Sequence, residues 1–429
     1  MAMSTMRWHA VVVCAFLLVS TSAQFARFDL SQHQDKGPHE LVSAYMSWHR
    51  GELAKAKQDN KICDQVRAMV WSPMAGLGDA AYSLAHITGQ ALRSGRMLFI
   101  DWNLNTSKGD KMSWKKVLAE PPFDWDLADA KKAGALCGKA LETLVECHDM
   151  DAIGKNAAFL RDEANSQTHP QVGTDAFESA VMSAFLNPSQ TVKDHMFPLL
   201  SKFENKFVVG VAIRTGWKEK YDEETKKGHM QMSHLEQGDE KKFIECAIAM
   251  WQQADPDVRP ELRFFITSDN PGVYKKLVEA DEMLKVSTYD SEHMGLPSHI
   301  HPNSDWVEEE GIFRSFTDFF LLGYSDAALL TSNSLFGDAA TKRAGGAVLR
   351  RYFINSKHCC TEWSPNCKMM CKTALEHDRP IELGCDAVLH EKTSSADYHF
   401  SQQRPNSKWV RSENLAGFNP FGETKRTEL

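Results

Sequence analysis

Continuous apolar runs, rather than alternating ones, mark the strands of this chain. KFVVGVAIRT (206–215) and ELRFFITSD (261–269) are apolar on both faces, as strands covered by helices on each side require. Between and after them lie helix-period segments: 238–254, 271–280 and the apolar stretch that begins at Phe316. Further strands are expected at 284–288, at Ala327–Leu330 and in GAVLRRYFI (346–354). An earlier series reads the same way. CDQVRAMVWSP (63–73) predicts a strand, MAGLGDAA a glycine turn, Ala80–Arg93 a helix and RMLFIDW a second strand. Leu127–His148, Ala176–Leu186 and the residues up to Phe203 carry helical periodicity. Strand–turn–helix–strand repeated in two series predicts two α/β domains in series, divided near 197–204. In such sheets ligands sit beyond the carboxyl ends of the strands, which directs attention to four loops.

The chain has 429 residues, a length suited to two domains. Arg7, the apolar run Ala10–Val19 and the small residues ending at Ala23 read as a cleaved signal peptide, residues 1–23. The run falls short of the roughly 20 residues that span a bilayer, so no stable membrane span is expected. A secretory route makes the cysteines candidates for disulfides. Of the ten in the sequence, Cys14 lies in the leader, which leaves nine. The odd number leaves one unpaired within the chain, and Cys246 is a candidate for it. The cluster from Cys359 to Cys385 lacks paired C-x2-C knuckles and is read as disulfides rather than zinc. Asn105, in NTS, is the usable glycosylation acceptor. The final RTEL loosely resembles a retrieval signal of the endoplasmic reticulum.

A formal net charge of −8 excludes nucleic acid as a natural partner, since phosphate backbones require a basic field. The four loops carry a different signal. AGLGDAA sets Gly76 and Gly78 before a helix, where a tight turn and free helix N–H groups attract oxygen ligands. IRTGW leaves Arg214 at a strand end beside Thr215 and Gly216, a guanidinium suited to a diphosphate. ITSDN offers Ser268 and Asp269, the latter either a helix cap or an acceptor for ribose or base. LLTSNSLFG gives Thr331, Ser332, Asn333 and Ser334, followed by Phe336. Singly each is ordinary turn chemistry; together they fit a nucleoside diphosphate at one sheet edge.

These segments resemble the GDP-fucose-dependent fucosyltransferases of the GT-B fold, and in motif are most similar to the plant xyloglucan branch. Gly76-Leu77-Gly78-Asp79 through RMLFIDW is similar to the family's glycine segment, GVAIRTG to its arginine strand, and LLGYSDAALLTSNSLFG to its last motif. Departures are Ala212, where the family often has His or Gln, and Asp79, where Asn is usual. The last motif is also one residue shorter between Ser332 and Phe336.

The resemblance implies a GT-B architecture of two Rossmann-like domains facing across a cleft. An acceptor-side domain would cover 24–203, a nucleotide-sugar domain 204–385 and a tail 386–429. It implies inverting, metal-independent transfer of fucose from GDP-fucose to a glycan or glycoprotein in the lumen of the Golgi or endoplasmic reticulum, with no other cofactor. Arg214 and the Thr331–Ser334 hydroxyls would stabilise the leaving diphosphate, and Asp79 is the candidate base, with a helix N-cap as its other reading. Asp318 and Asp326 are candidates for contacts to guanine or ribose, with Asp326 equally a candidate cap for the strand. His299 and His301 are read as surface-loop residues. Three D-x-D strings (Asp124/Asp126, Asp149/Asp151, Asp255/Asp257) raise a metal-dependent alternative, but none ends an apolar strand. A protein O-fucosyltransferase of the endoplasmic reticulum and a non-catalytic carbohydrate-binding homologue are the other readings.

Overall fold

The computed structural model describes residues 27–73, 76–105, 111–120, 125–142, 144–147, 168–204, 206–214, 243–244, 247, 261–269, 309–331, 334–344, 350–354 and 361–362. Their contacts divide the chain into two units. Unit 1 comprises 1–72, 87–101 and 123–170; unit 2 comprises 73–86, 102–122 and 171 onward. This differs from a single boundary near 197–204, because the glycine turn and the helices after 171 group with the later sheet.

In unit 1, three parallel strands run in the order β2–β1–β5: β1 (Ala68–Trp71), β2 (Met97–Ile100) and β5 (Val145–Cys147). All residues of β1 and β2 are buried, as their unbroken apolar sequence requires. Helix α1 (Pro38–Gln58) starts with proline at its first position, and the Glu40 side chain accepts from Gly37 N–H at 3.2 Å. It buries Leu41, Val42, Tyr45, Met46, His49, Leu53 and Ala56, the stripe of a 3.6-residue period. The Tyr45 hydroxyl fixes it to β2, donating to Arg96 O at 2.8 Å and accepting from Leu98 N–H at 3.0 Å.

The single helix expected over Leu127–His148 is not formed. Helix α3 (Leu127–Lys132) is closed by Gly134 at φ 70°, a short α4 (Gly138–Glu142) starts from Gly138 at φ 34°, and the remainder is β5. Glycine tolerates this left-handed backbone where other residues do not. A Cys63–Cys137 disulfide ties the same region to the segment before β1.

In unit 2, the sheet order is β10–β9–β8–β6–β7. Strands β6 (Phe207–Ile213), β7 (Leu262–Ser268), β8 (Ala327–Thr331) and β9 (Arg350–Ile354) are parallel, and β10 (Thr361–Glu362) is antiparallel to β9. A short hairpin of β3 (Asn103–Asn105) and β4 (Lys111–Ser113) belongs to the same unit. The described helices here are α5 (Asp175–Phe185), α6 (Gln190–Phe203), α7 (Glu309–Gly323) and α8 (Leu335–Arg343). Helix α2 (Leu77–Ser94) begins in unit 2 and continues into the residues of unit 1. Helix α7 is buried along nearly its whole length. A Cβ on Gly210 of β6 would lie 2.7 Å from Leu322 of α7, so this glycine permits the close approach of helix and strand.

The first strand of the series, β6, has β7 on one side and β8 on the other. The chain therefore reverses its direction of travel across the sheet between β6 and β8. In doubly wound sheets the carboxyl edge at such a switch point is a crevice that takes ligands.

Candidate functional site

Two strand ends meet at that crevice. Ala212 pairs with Leu330 in register, and one hydroxyl locks the next positions: Thr331 Oγ1 accepts from Arg214 N–H at 2.8 Å and donates to Ala212 O at 3.0 Å. Thr331 is fully buried. Its hydroxyl is thus committed to backbone, which corrects the expectation that it faces a ligand. It positions the residue that carries the charge.

The Arg214 guanidinium pairs with Asp269, Nη1 to Oδ2 at 2.9 Å, across the ends of β6 and β7. Both side chains are partly exposed. The sequence-expected Arg214 and Asp269 therefore come together at one edge, and Ser268 ends the strand beside them. Thr215, Gly216, Ser332 and Asn333 lie outside the described residues, as does Thr106 of the Asn105 acceptor sequence.

After β8 the chain turns directly into α8, with Ser334 N–H donating to Thr331 O at 3.1 Å. Ser334 is the N-cap residue, but its side chain makes no capping bond. The first N–H groups of α8 hence carry no side-chain cap from it, unlike those of α5 and α6, which Thr174 and Ser189 cap. Gly337 seats this first turn against the strand ends; a Cβ there would lie 2.8 Å from Leu330 and 3.2 Å from the Ala212 methyl. Phe336 packs its ring on Phe319 at 5.7 Å.

A second helix amino end meets the first. A Cβ on Gly78, in the opening turn of α2, would lie 2.7 Å from the Leu335 carbonyl oxygen and closer still to the Phe336 nitrogen. Glycine is needed here because backbone touches backbone. The signal was present in the sequence as AGLGD, but its partner segment was not. Gly76 O accepts from Ala80 N–H at 2.8 Å and so opens the helix. A helix amino end carries a positive partial charge and attracts anionic oxygen, and two of them meet here.

Asp79 follows Gly78. It reaches solvent, yet the surrounding protein desolvates the carboxylate and raises its pKa; its own backbone N–H and the Arg214 charge oppose the shift. It groups with unit 2, together with Arg214, and not with the N-terminal unit as expected.

The expected ligand contact of Asp318 is corrected, and Asp326 takes the strand-capping role that stood as its alternative. Asp318, on α7, is wholly buried, pairs with Arg314 Nε at 2.8 Å and accepts from Thr267 Oγ1 at 2.7 Å. Its carboxylate holds helix to strand inside the fold, and burial raises its pKa against the pull of Arg314 and Thr267. Asp326 sits at the start of β8, where its carboxylate accepts from Val208 N–H at 2.8 Å and its own N–H donates to Val208 O at 2.9 Å. It is at the amino edge of the sheet, about 16 Å of strand from the site, and pins the β6–β8 register.

Among the described residues one group has metal-ligand geometry, Cys63, Asp64 and Cys137. Its two cysteines are joined to each other as a disulfide, so their thiolates are not available as donors. Asp64 instead accepts from Lys139 N–H at 3.0 Å.

No protein-family model matches the sequence, and no curated protein matches it at a significant level. Among solved structures the chain is similar to the fucosyltransferase NodZ from Bradyrhizobium, with 15% identity and a TM-score of 0.45 over 70% of this chain and 98% of that one. It is similar to Arabidopsis thaliana FUT1 in complex with GDP, with 13% identity and a TM-score of 0.43, over 75% and 82% of the two chains. POFUT1 in complex with GDP gives 11% identity and a TM-score of 0.38, over 67% and 98%. Identities and TM-scores at this level leave the activity of this chain to be argued from its own residues.

Proposed function

We propose that the carboxyl edge of the unit 2 sheet binds the diphosphate of a nucleotide sugar, and that the protein is an inverting glycosyltransferase. The observation that carries this reading is the assembly at the switch point: Arg214, held by Thr331, beside the amino end of α8, which the Ser334 side chain leaves uncapped, and the opening turn of α2. The choice of GDP-fucose as donor rests on the motif resemblance in the sequence, and the choice of a glycan or glycoprotein acceptor in the secretory pathway rests on that and the leader-like terminus. Within the described residues no helix is long and apolar enough to cross a membrane.

In this reading an acceptor hydroxyl attacks C1 of the fucosyl group as the bond from C1 to the phosphate oxygen breaks. The acceptor oxygen loses its proton to a base, and the bond pair leaves with GDP. Negative charge grows on the diphosphate, where Arg214 and the helix amides stabilise it without a metal, the preorganised electrostatics that supply much of catalysis. Asp269 neutralises Arg214 before the donor arrives and exchanges that partner for phosphate or accepts from the ribose. Asp79, with its raised pKa and its place near Arg214, is the base.

The test is turnover of GDP-fucose against GDP-mannose and UDP-sugars by purified protein with EDTA present. Selective hydrolysis or transfer from GDP-fucose supports the reading. Failure of every nucleotide sugar to bind leaves the non-catalytic carbohydrate-binding reading in its place.

A further inference from the structure

Two residues outside the expected site join the helices whose amino ends form it. Tyr82 lies one turn after Gly78 on α2, and Asp338 lies one turn after Leu335 on α8. The Tyr82 hydroxyl donates to Asp338 Oδ2 across 256 residues of sequence. The bond is thus one turn removed, on the same faces, from the point where Gly78 meets the Leu335–Phe336 backbone. The arrangement extends outward. Lys342 Nζ sits 4.8 Å from the centre of the Tyr82 ring and pairs with Asp175 at 3.0 Å and Glu178 at 2.7 Å on α5. Ser179 of α5 donates to Lys342 O at 2.7 Å.

The Gly78 contact supplies only closeness; a hydrogen bond between side chains supplies register along both helices.

We propose that Tyr82 and Asp338 are positioning residues for the diphosphate, setting the spacing of the two helix amino ends. The inference rests on the proposed reading of the site as a diphosphate seat. It requires no contact of either side chain with substrate.

The test compares Tyr82→Phe, Asp338→Asn and Asp338→Ala in the full chain, reading KM for GDP-fucose, kcat, GDP affinity by calorimetry and thermal stability. Loss of a hydrogen bond to a charged group is expected to raise KM for the donor and weaken GDP about tenfold in Tyr82→Phe. The melting temperature falls, as loss of an internal hydrogen bond requires, while kcat at saturating donor changes little. Asp338→Asn keeps an acceptor oxygen and recovers GDP affinity to within about threefold, whereas Asp338→Ala resembles Tyr82→Phe. If Tyr82→Phe binds GDP as the parent does, or loses only thermal stability, the positioning role is wrong while the diphosphate seat stands. If the parent protein itself binds no GDP, the diphosphate reading falls and this inference falls with it.

Discussion

The backbone N–H of Arg214 donates to the hydroxyl of Thr331 at 2.8 Å, and that same hydroxyl donates to Ala212 O at 3.0 Å. One buried side chain thereby satisfies backbone groups of the neighbouring strand just where β6 ends and an arginine begins. Buried donors and acceptors are costly to leave unmet. Replacing Thr331 by Val keeps the shape and removes the hydroxyl. Thr331→Val is expected to lower unfolding stability by about 1–3 kcal/mol, seen as a lower urea midpoint with an unchanged slope, and to weaken GDP binding. Thr331→Ser retains both bonds and most of the affinity.

Gly78→Ala puts a methyl group into the Leu335–Phe336 backbone. Since backbone yields less readily than a side-chain tip, the two helix ends must separate. Overpacking of this kind costs about 1–3 kcal/mol, and GDP affinity should fall by at least a comparable factor. Calorimetric titration of the variant with GDP reads this directly; an affinity equal to the parent's would show that the contact does not shape the site.

Asp79, the proposed base, has a raised pKa, and that role predicts a pH signature. Asp79 must be ionised to accept a proton, so kcat/KM rises with pH through its titration, at a midpoint above the ordinary aspartate value of about 3.9. The sign for stability is opposite. A carboxyl whose folded pKa is raised stabilises fully below its unfolded value, and that contribution is lost as pH climbs through the folded value. Asp79→Asn should therefore remove the acid limb of the rate profile and leave the protein no less stable at neutral pH. A profile whose acid limb persists unchanged in Asp79→Asn assigns the base elsewhere.

The Arg314–Asp318 pair lies inside unit 2, with both side chains almost wholly buried. Removing one partner strands the other charge. Arg314→Met is expected to destabilise the protein by about 3–5 kcal/mol, measured by chemical denaturation, with GDP affinity per folded molecule retained.

The parallel strands were legible in the sequence because unbroken apolar runs such as FVVGVAI have few alternatives to double-sided burial. So was the placement of Arg214 and Asp269 at strand ends, where the two side chains meet. Other features depend on three-dimensional partners that local pattern does not encode. The helical period over Leu127–His148 was overridden by two glycines in left-handed backbone, Gly134 and Gly138, and by a disulfide across 74 residues. Asp318 looked like a ligand contact because its burial is a property of α7 as packed, not of its neighbours in sequence. The double role of Thr331 required the β6–β8 register, and Tyr82 carried no motif at all, since its partner is 256 residues away.

The charge of Arg214 is the centre of the proposed chemistry. The decisive measurement is the rate of fucosyl transfer, or of GDP release from GDP-fucose, by Arg214→Ala beside the parent enzyme, both in EDTA. A donor that stabilises charge in the transition state is expected to cost about 10²–10³ in kcat when removed, with Arg214→Lys between the two because an ammonium restores charge but not the guanidinium fork. Turnover in Arg214→Ala equal to that of the parent would contradict the placement of the diphosphate at this strand end.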